Sequence, residues 1–178
     1  MHATVQRPDA RRTIPGMRFI HRTLKSQLRR LDRRIQLATD RFVAAQLIRA
    51  GQLCATAGDV PGALQYYGRA VDAYLSIGNG REAEILCRRI IELKPDVVRA
   101  RRTLSLILLG RGDMVGASEQ IREYVAAARA AGQEELTIRQ LRLMAELTQD
   151  PRLRENLLAQ CRELGATTPA RDEAVRPV

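Results

Sequence analysis

Aromatic residues are scarce in this sequence. Its 178 residues include two phenylalanines, four tyrosines and no tryptophan. Sheet proteins usually contain more aromatic and β-branched residues, whereas the residues that are frequent here, Ala, Leu, Arg and Glu, are good helix formers. Because 45% of the residues are hydrophobic, the chain can bury a core. The composition therefore predicts a folded, all-α protein.

Histidine and cysteine are also few, with two histidines and three cysteines in the chain. An odd number of widely spaced cysteines without a CxxC pair predicts reduced, buried thiols in the cytoplasm. No His/Cys cluster has the spacing of zinc ligands, and no nucleophile or phosphate-loop motif is present. We therefore predict no enzymatic activity, no metal and no cofactor. The cysteines are Cys54, Cys87 and Cys161.

Long hydrophobic runs are missing as well. Residues 1–16 are polar, contain Pro8 and Pro15, and lack the apolar centre of a signal peptide. The most apolar stretch, residues 104–110, is far shorter than the roughly 20 residues that span a bilayer as a helix. These features predict a cytoplasmic protein with a disordered N-terminus (1–16) and a flexible tail (165–178).

The charge is strongly basic and unevenly distributed. The formal net charge is +10, and residues 1–41 carry 11 Arg or Lys against 3 Asp or Glu, a net of +8. Apolar residues recur at helical spacing within residues 17–41, which predicts a basic amphipathic helix. The cations that we assign to its polar faces are Arg22, Lys25, Arg29, Arg30, Arg33 and Arg34.

Several interpretations of this helix stay open. It can cap the first repeat, with its apolar stripe turned inward and its arginines keeping the end soluble. It can also dock on a partner protein or a second copy of the chain. A third interpretation is contact with nucleic acid or an acidic membrane through its cations. Nucleic acid is disfavoured because few aromatic residues are interleaved with the cations.

Three similar turns recur along the chain. In each, a glycine precedes an alanine by five residues: Gly58 and Ala63, Gly78 and Ala83, Gly112 and Ala117. A glycine just past a helix end can adopt the left-handed conformation at little cost. The small alanine allows two antiparallel helices to approach closely. The distance from Gly78 to Gly112 is 34 residues, which is the period of a helical-hairpin repeat.

Capping residues accompany these turns. Asp59 and Asp113 are placed to accept a hydrogen bond from a free backbone N–H of the following helix. Pro95-Asp96 is expected to stop one helix and cap the next, and Asp150-Pro151 to begin the last one. Together with the apolar periodicity, these signals predict helices near 18–38, 42–57, 61–77, 81–93, 97–110, 115–131, 134–148 and 151–164.

This pattern resembles the tetratricopeptide repeat (TPR) family over residues 42–132. The resemblance rests on Gly78, Ala83, Pro95, Gly112 and Ala117. Tyr67 and Arg101 stand where the consensus has tryptophan. Gly58 lies only 20 residues before Gly78, so the helix at 61–77 would pair with both of its neighbours.

The resemblance implies antiparallel helix hairpins that form a short right-handed α-solenoid over residues 42–164. It also implies a groove that binds a segment of a partner protein. In this register the groove-facing positions are Arg99, Arg102, Leu106, Leu109, Gln65 and Asp72.

The sequence thus predicts a non-catalytic adaptor or scaffold that binds a protein segment. The alternative is an anion-directed module whose basic helix contacts nucleic acid or an acidic membrane. A regulatory effector-binding domain ranks last, because the chain has no separate DNA-binding helix-turn-helix. A homodimer through the first or last helix is a further prediction.

Overall fold

The computed structural model describes residues 25–33, 35 and 40–167, and all regular secondary structure in those ranges is α-helical. The predictions for residues 1–16 and for most of the tail lie outside the described residues. The all-α prediction is confirmed. The helices are α1 (residues 25–33), α2 (Asp40–Thr56), α3 (Val60–Ser76), α4 (Gly80–Leu93), α5 (Val98–Arg111), α6 (Met114–Ala130), α7 (Glu134–Leu147) and α8 (Pro151–Thr167).

The helix bounds agree with those expected from the sequence to within a few residues. The largest difference in α2–α8 is at the end of α8, which continues three residues past 164, through Gly165 to Thr167. Contacts between residues group the chain into two compact units, Met1–Ala73 and Tyr74–Val178. The first unit contains α1, α2 and most of α3, and the second contains α4 to α8. A single repeat domain over 42–164 stays a prediction.

The predicted turn chemistry is confirmed at two turns. The carboxylate of Asp59 accepts a hydrogen bond from the Gly62 N–H at 3.0 Å. In the same way, Asp113 accepts from the Gly116 N–H at 3.0 Å. Each aspartate thus satisfies a backbone donor that the helix itself cannot pair. The glycines with positive φ are Gly58 (75°), Gly78 (73°), Gly112 (82°) and Gly132 (65°).

The expected cap at Asp96 is wrong. Helix α5 begins at Val98, and its N-cap residue is Val97, which makes no side-chain cap hydrogen bond. Asp96 therefore comes one residue too early, and its carboxylate lies 3.8 Å from the Lys94 ammonium. The loop is held instead by Arg101, whose Nε donates to the Pro95 carbonyl at 2.6 Å.

The first unit buries part of the basic helix α1. Leu31 and Ile35 belong to the hydrophobic core. The Tyr66 hydroxyl of α3 donates to both carboxylate oxygens of Asp32, at 3.0 and 3.1 Å. These contacts support the interpretation of α1 as a capping helix.

The second unit is built from helix pairs joined by short turns, so consecutive helices run antiparallel. Helix α5 packs mainly on α6 and α7 mainly on α8, while α5 also contacts α4 and α7. The alanines of the repeated turns, Ala83 and Ala117, are fully buried. The core formed by α6, α7 and α8 includes Ile121, Tyr124, Leu141, Met144 and Leu157.

A buried glutamate connects α4 to the end of α5. Glu84 accepts hydrogen bonds from Arg88 within α4, at 2.9 Å from Nη2 and 3.2 Å from Nε. Its second oxygen accepts from Arg111 Nη1 at 2.6 Å. Arg111 in turn reaches the capping carboxylate of Asp113 at 3.4 Å. The network ties the turn between α5 and α6 to α4, and the sequence analysis did not identify it.

Candidate functional site

The site residues predicted on α5 differ in how far their side chains are exposed to solvent. Arg99 is exposed, whereas Arg102 is half-buried. Leu106 and Leu109 are half-buried and pack against the core of α6, α7 and α8. Of the four residues predicted on α5, Arg99 is therefore exposed and the other three are half-buried.

Helix α7 exposes a stripe of leucines that the sequence analysis missed. Leu136, Leu143 and Leu147 are 39%, 44% and 60% exposed. Their spacing of seven and four residues places them on one side of the helix. The opposite side of α7 is buried, with Leu141 and Met144 in the core. A helix that packs one side and still presents three leucines to solvent has an apolar face without a partner among the described residues.

The leucines of α7 occupy positions equivalent to the predicted site on α5. The buried positions of α5 recur in α7 after 37 residues. The pairs are Ala100 and Thr137, Leu104 and Leu141, and Leu108 and Ala145. The same separation relates Arg99 to Leu136, Leu106 to Leu143 and Gly110 to Leu147. Helices α5 and α7 are in contact, so we consider these positions together as one candidate patch.

We name this patch the leucine surface and define it by residues Arg99, Leu106, Leu136, Leu143 and Leu147. Its apolar residues are the three exposed leucines of α7 and the half-buried Leu106 of α5. Arg102 of α5 and Arg139 of α7 lie beside it, and Arg139 forms a long ion pair with Glu135 at 3.8 Å. An apolar strip with charged residues at its edge has the layout of a protein-binding surface, in which a dry centre is surrounded by a polar rim.

The remaining predicted site residues lie in the first unit. Gln65 and Asp72 are exposed on α3, and their role in binding stays a prediction. On α1, the side chains of Lys25, Arg29, Arg30 and Arg33 are exposed. Arg22 and Arg34 lie outside the described residues.

Two of the buried thiols are held in their protonated forms at neutral pH. Burial, reinforced by the nearby Asp59 carboxylate, raises the pKa of the Cys54 thiol to about 11. Burial also raises the pKa of the Cys161 thiol, against the opposing effect of Arg142. A protonated thiol is a poor nucleophile and a poor metal ligand. Both cysteines therefore act as small buried apolar side chains, as predicted, and all three cysteines are free.

The described residues contain neither a candidate metal site nor a candidate membrane span. Within 25–33, 35 and 40–167, no group of three His, Cys, Asp or Glu side chains is arranged to hold a metal ion. In the same part of the chain, no helix combines the length and apolarity needed to cross a bilayer.

Comparisons with known proteins give structural neighbours only. No family model matches the chain, and no curated protein sequence matches it. Similar solved structures include a double mutant of MamA RS-1, at 15% identity and a TM-score of 0.43, covering 85% of this chain and 96% of that one. They also include a putative kinesin light chain from Podosopora anserina with nearly identical TPR-like repeats, at 17% identity and a TM-score of 0.41, covering 83% of this chain and 97% of that one.

Proposed function

We propose that this chain is a non-catalytic, TPR-like scaffold that binds a segment of another protein on the leucine surface. One observation carries the proposal. Three leucines of α7 are exposed on one stripe, in phase with the Arg99–Leu106 side of the neighbouring helix α5. Exposed apolar patches with polar rims are typical of interaction sites.

The energetics favour a ligand with apolar side chains. Fully burying a leucine side chain contributes about 1.5–3 kcal/mol, and the leucines of α7 are 39–60% exposed. Covering them therefore supplies part of the free energy that offsets the entropy lost on association. The surface runs across two adjacent helices, and a short extended or helical segment is long enough to cross both. Arg99 at its edge would orient such a segment through a polar contact rather than supply most of the affinity.

The test uses peptides selected from a random phage-displayed library against the full chain. Leu143→Ser should weaken binding of the selected peptides by about tenfold or more, because a buried leucine contact is lost. The matched control is Ile85→Ser on α4, since Leu143 and Ile85 are exposed to a similar extent, 44% and 53%. Titration by fluorescence anisotropy gives the dissociation constants.

Circular dichroism and thermal melting first establish that both variants remain folded. The proposal then predicts loss of binding in Leu143→Ser and unchanged binding in Ile85→Ser. Equal dissociation constants for the wild type and Leu143→Ser would exclude the leucine surface as the binding site.

A second candidate function depends on the exposed cations of α1. Four side chains on this helix carry positive charge into solvent: Lys25, Arg29, Arg30 and Arg33. Deleting residues 1–41 would also remove Leu31, Ile35 and Asp32 from the first unit, so substitution is the cleaner test. Replacing the four cations with glutamine should abolish binding to single-stranded DNA or to phosphatidylserine vesicles if α1 docks on a polyanion. Binding that survives the fourfold substitution would exclude this function.

A further inference from the structure

A groove of about 640 Å³ lies between α7 and α8 in the second unit. Arg142 of α7 forms part of one wall. The rest comes from one side of α8, where the lining residues recur at helical spacing. These α8 residues are Pro151, Arg154, Glu155, Leu158, Cys161, Arg162 and Gly165.

The rim of the groove is positively charged. Arg142, Arg154 and Arg162 line it, against the single carboxylate of Glu155. Arg142 and Arg162 are exposed, and neither forms an ion pair with any residue in the described part of the chain. Two guanidinium groups are therefore available for a ligand, and each can hold a carboxylate through two parallel hydrogen bonds.

The third arginine is fixed by the fold. Arg154 donates from Nε to the Ala145 carbonyl at 3.1 Å and from Nη2 to the Thr148 carbonyl at 2.8 Å. These carbonyls lie at the C-terminal end of α7, where a helix leaves acceptors unpaired. The guanidinium is thus held at the groove wall before any ligand arrives, which lowers the entropic cost of using it.

The floor of the groove is apolar and uncharged. Cys161 is buried there, and its thiol donates to the Ile138 carbonyl across 3.6 Å. Burial keeps that thiol protonated at neutral pH by raising its pKa. Leu158 is 43% exposed beside it. A ligand that fills this groove must combine negative charge at the rim with an aliphatic group at the floor.

We propose that the groove between α7 and α8 binds an acidic peptide segment of a partner protein. Its carboxylates would pair with Arg142 and Arg162, and an aliphatic side chain would rest on Leu158 and Cys161. A nucleic acid fits less well, because none of the lining residues is aromatic and single strands are held largely by stacking on aromatic side chains.

This site goes beyond the function proposed above. Consecutive residues of a helix point about 100° apart, so Arg142 and Leu143 lie on different sides of α7. The groove and the leucine surface are therefore separate, and either can bind when the other does not.

The experiment measures binding of a short fluorescein-labelled peptide of alternating Glu and Leu pairs to the full chain. Two further probes are the same peptide with Gln in place of every Glu, and a single-stranded RNA. The test variant combines Arg142→Gln with Arg162→Gln. The matched control combines Arg122→Gln with Arg152→Gln, which removes the same charge from exposed positions of α6 and α8 outside the groove.

The proposal predicts that the test variant weakens acidic-peptide binding by about tenfold or more, since two charge-assisted pairs are lost. The control variant should bind as the wild type does, and the Gln peptide should bind much more weakly. Equal losses in the test and control variants would overturn the proposal, because binding would then follow net charge alone. RNA binding that falls in the test variant as much as peptide binding does would overturn it too, because the groove would then bind polyanions in general.

Discussion

At the scale of single residues, Tyr67 is an aromatic residue of the hydrophobic core. Its side chain is 2% exposed and packs on Gly51 of α2. A β-carbon built on Gly51 would lie 2.6 Å from Tyr67 Cε1, well inside van der Waals contact. The glycine in the middle of α2 is therefore required by the ring that covers it, at some cost in helix propensity.

Gly51→Ala should destabilise the protein by about 1–3 kcal/mol, because the added methyl group overpacks the contact with Tyr67. The matched control is Gly68→Ala in α3, where an added β-carbon meets no atom within 4 Å. That change should be neutral or stabilising by up to about 1 kcal/mol through helix propensity. Urea unfolding measures both. A Gly51→Ala protein as stable as the Gly68→Ala protein would contradict this packing.

The pKa of Tyr66 depends on the contact between α3 and Asp32 of α1. Burial, with the hydrogen bond to Asp32 next in effect, raises the pKa of Tyr66 from 10.0 to about 12. Because the pKa is raised, the folded state holds this proton more tightly than the unfolded state does. The resulting stability is fully present below pH 10 and is lost as the pH rises towards 12.

Tyr66→Phe should therefore lower the free energy of unfolding by about 1 kcal/mol at neutral pH, through loss of the hydrogen bond to Asp32. The difference from the wild type should shrink above pH 10. Urea unfolding at neutral and alkaline pH measures it, and a difference that stays constant between the two would argue against the link to Tyr66 ionisation.

Sequence reasoning at this scale succeeded where the interaction is local. Asp59 and Asp113 cap a helix three residues away, so their role follows from the order of residues around a turn. The contacts of Tyr66 with Asp32 and of Tyr67 with Gly51 join residues on different helices. Their partners depend on how those helices pack, which residue order alone does not specify.

At the scale of helices, the alanines of the repeated turns control how closely neighbouring helices approach. Ala83 and Ala117 are fully buried. Ala117→Leu should cost about 1–3 kcal/mol by overpacking the crossing of α5 and α6. Ala126→Leu, at an exposed position of α6, is the control and should change stability by less than about 0.5 kcal/mol. Thermal melts of the two variants that coincide would refute the tight crossing.

The Glu84 network predicts a similar contrast between buried and exposed ion pairs. Glu84→Gln should cost about 1–2 kcal/mol, because the side chain of Glu84 is only 11% exposed and accepts from two arginines. Glu92→Gln in the same helix breaks the pair with Arg89, in which both side chains are more than half exposed. It should cost less than about 0.5 kcal/mol. Chemical denaturation distinguishes the two, and equal costs would contradict a structural role for Glu84.

The helices themselves were predictable because glycine, aspartate and proline mark their ends and apolar residues recur with helical period. The start of α5 shows where prediction of helix ends from short-range patterns fails. Pro95-Asp96 has the signature of a stop and a cap, yet Arg101 holds that loop through the Pro95 carbonyl. A long side chain reaching back across a turn leaves no short-range pattern in the sequence.

At the scale of the whole molecule, sequence reasoning proposed site positions on α5 and none on α7. The positions on α5 follow from the 34-residue spacing of Gly78 and Gly112. Helix α7 repeats the burial pattern of α5 after 37 residues rather than 34. The turn after α7 contains no glycine from which this difference in spacing could be read. The 34-residue spacing therefore did not identify Leu136, Leu143 and Leu147 as equivalents of the site positions on α5.

The central claim is that the leucine surface contacts a protein segment, and site-specific photo-crosslinking tests it most directly. A benzophenone amino acid is placed at Leu143 in one sample and at the similarly exposed Ile85 of α4 in another. Each is irradiated with a library-selected peptide, and mass spectrometry locates the crosslink. The account predicts crosslinking from position 143 and little from position 85. Crosslinking that is absent at 143, or equal at both positions, would contradict it.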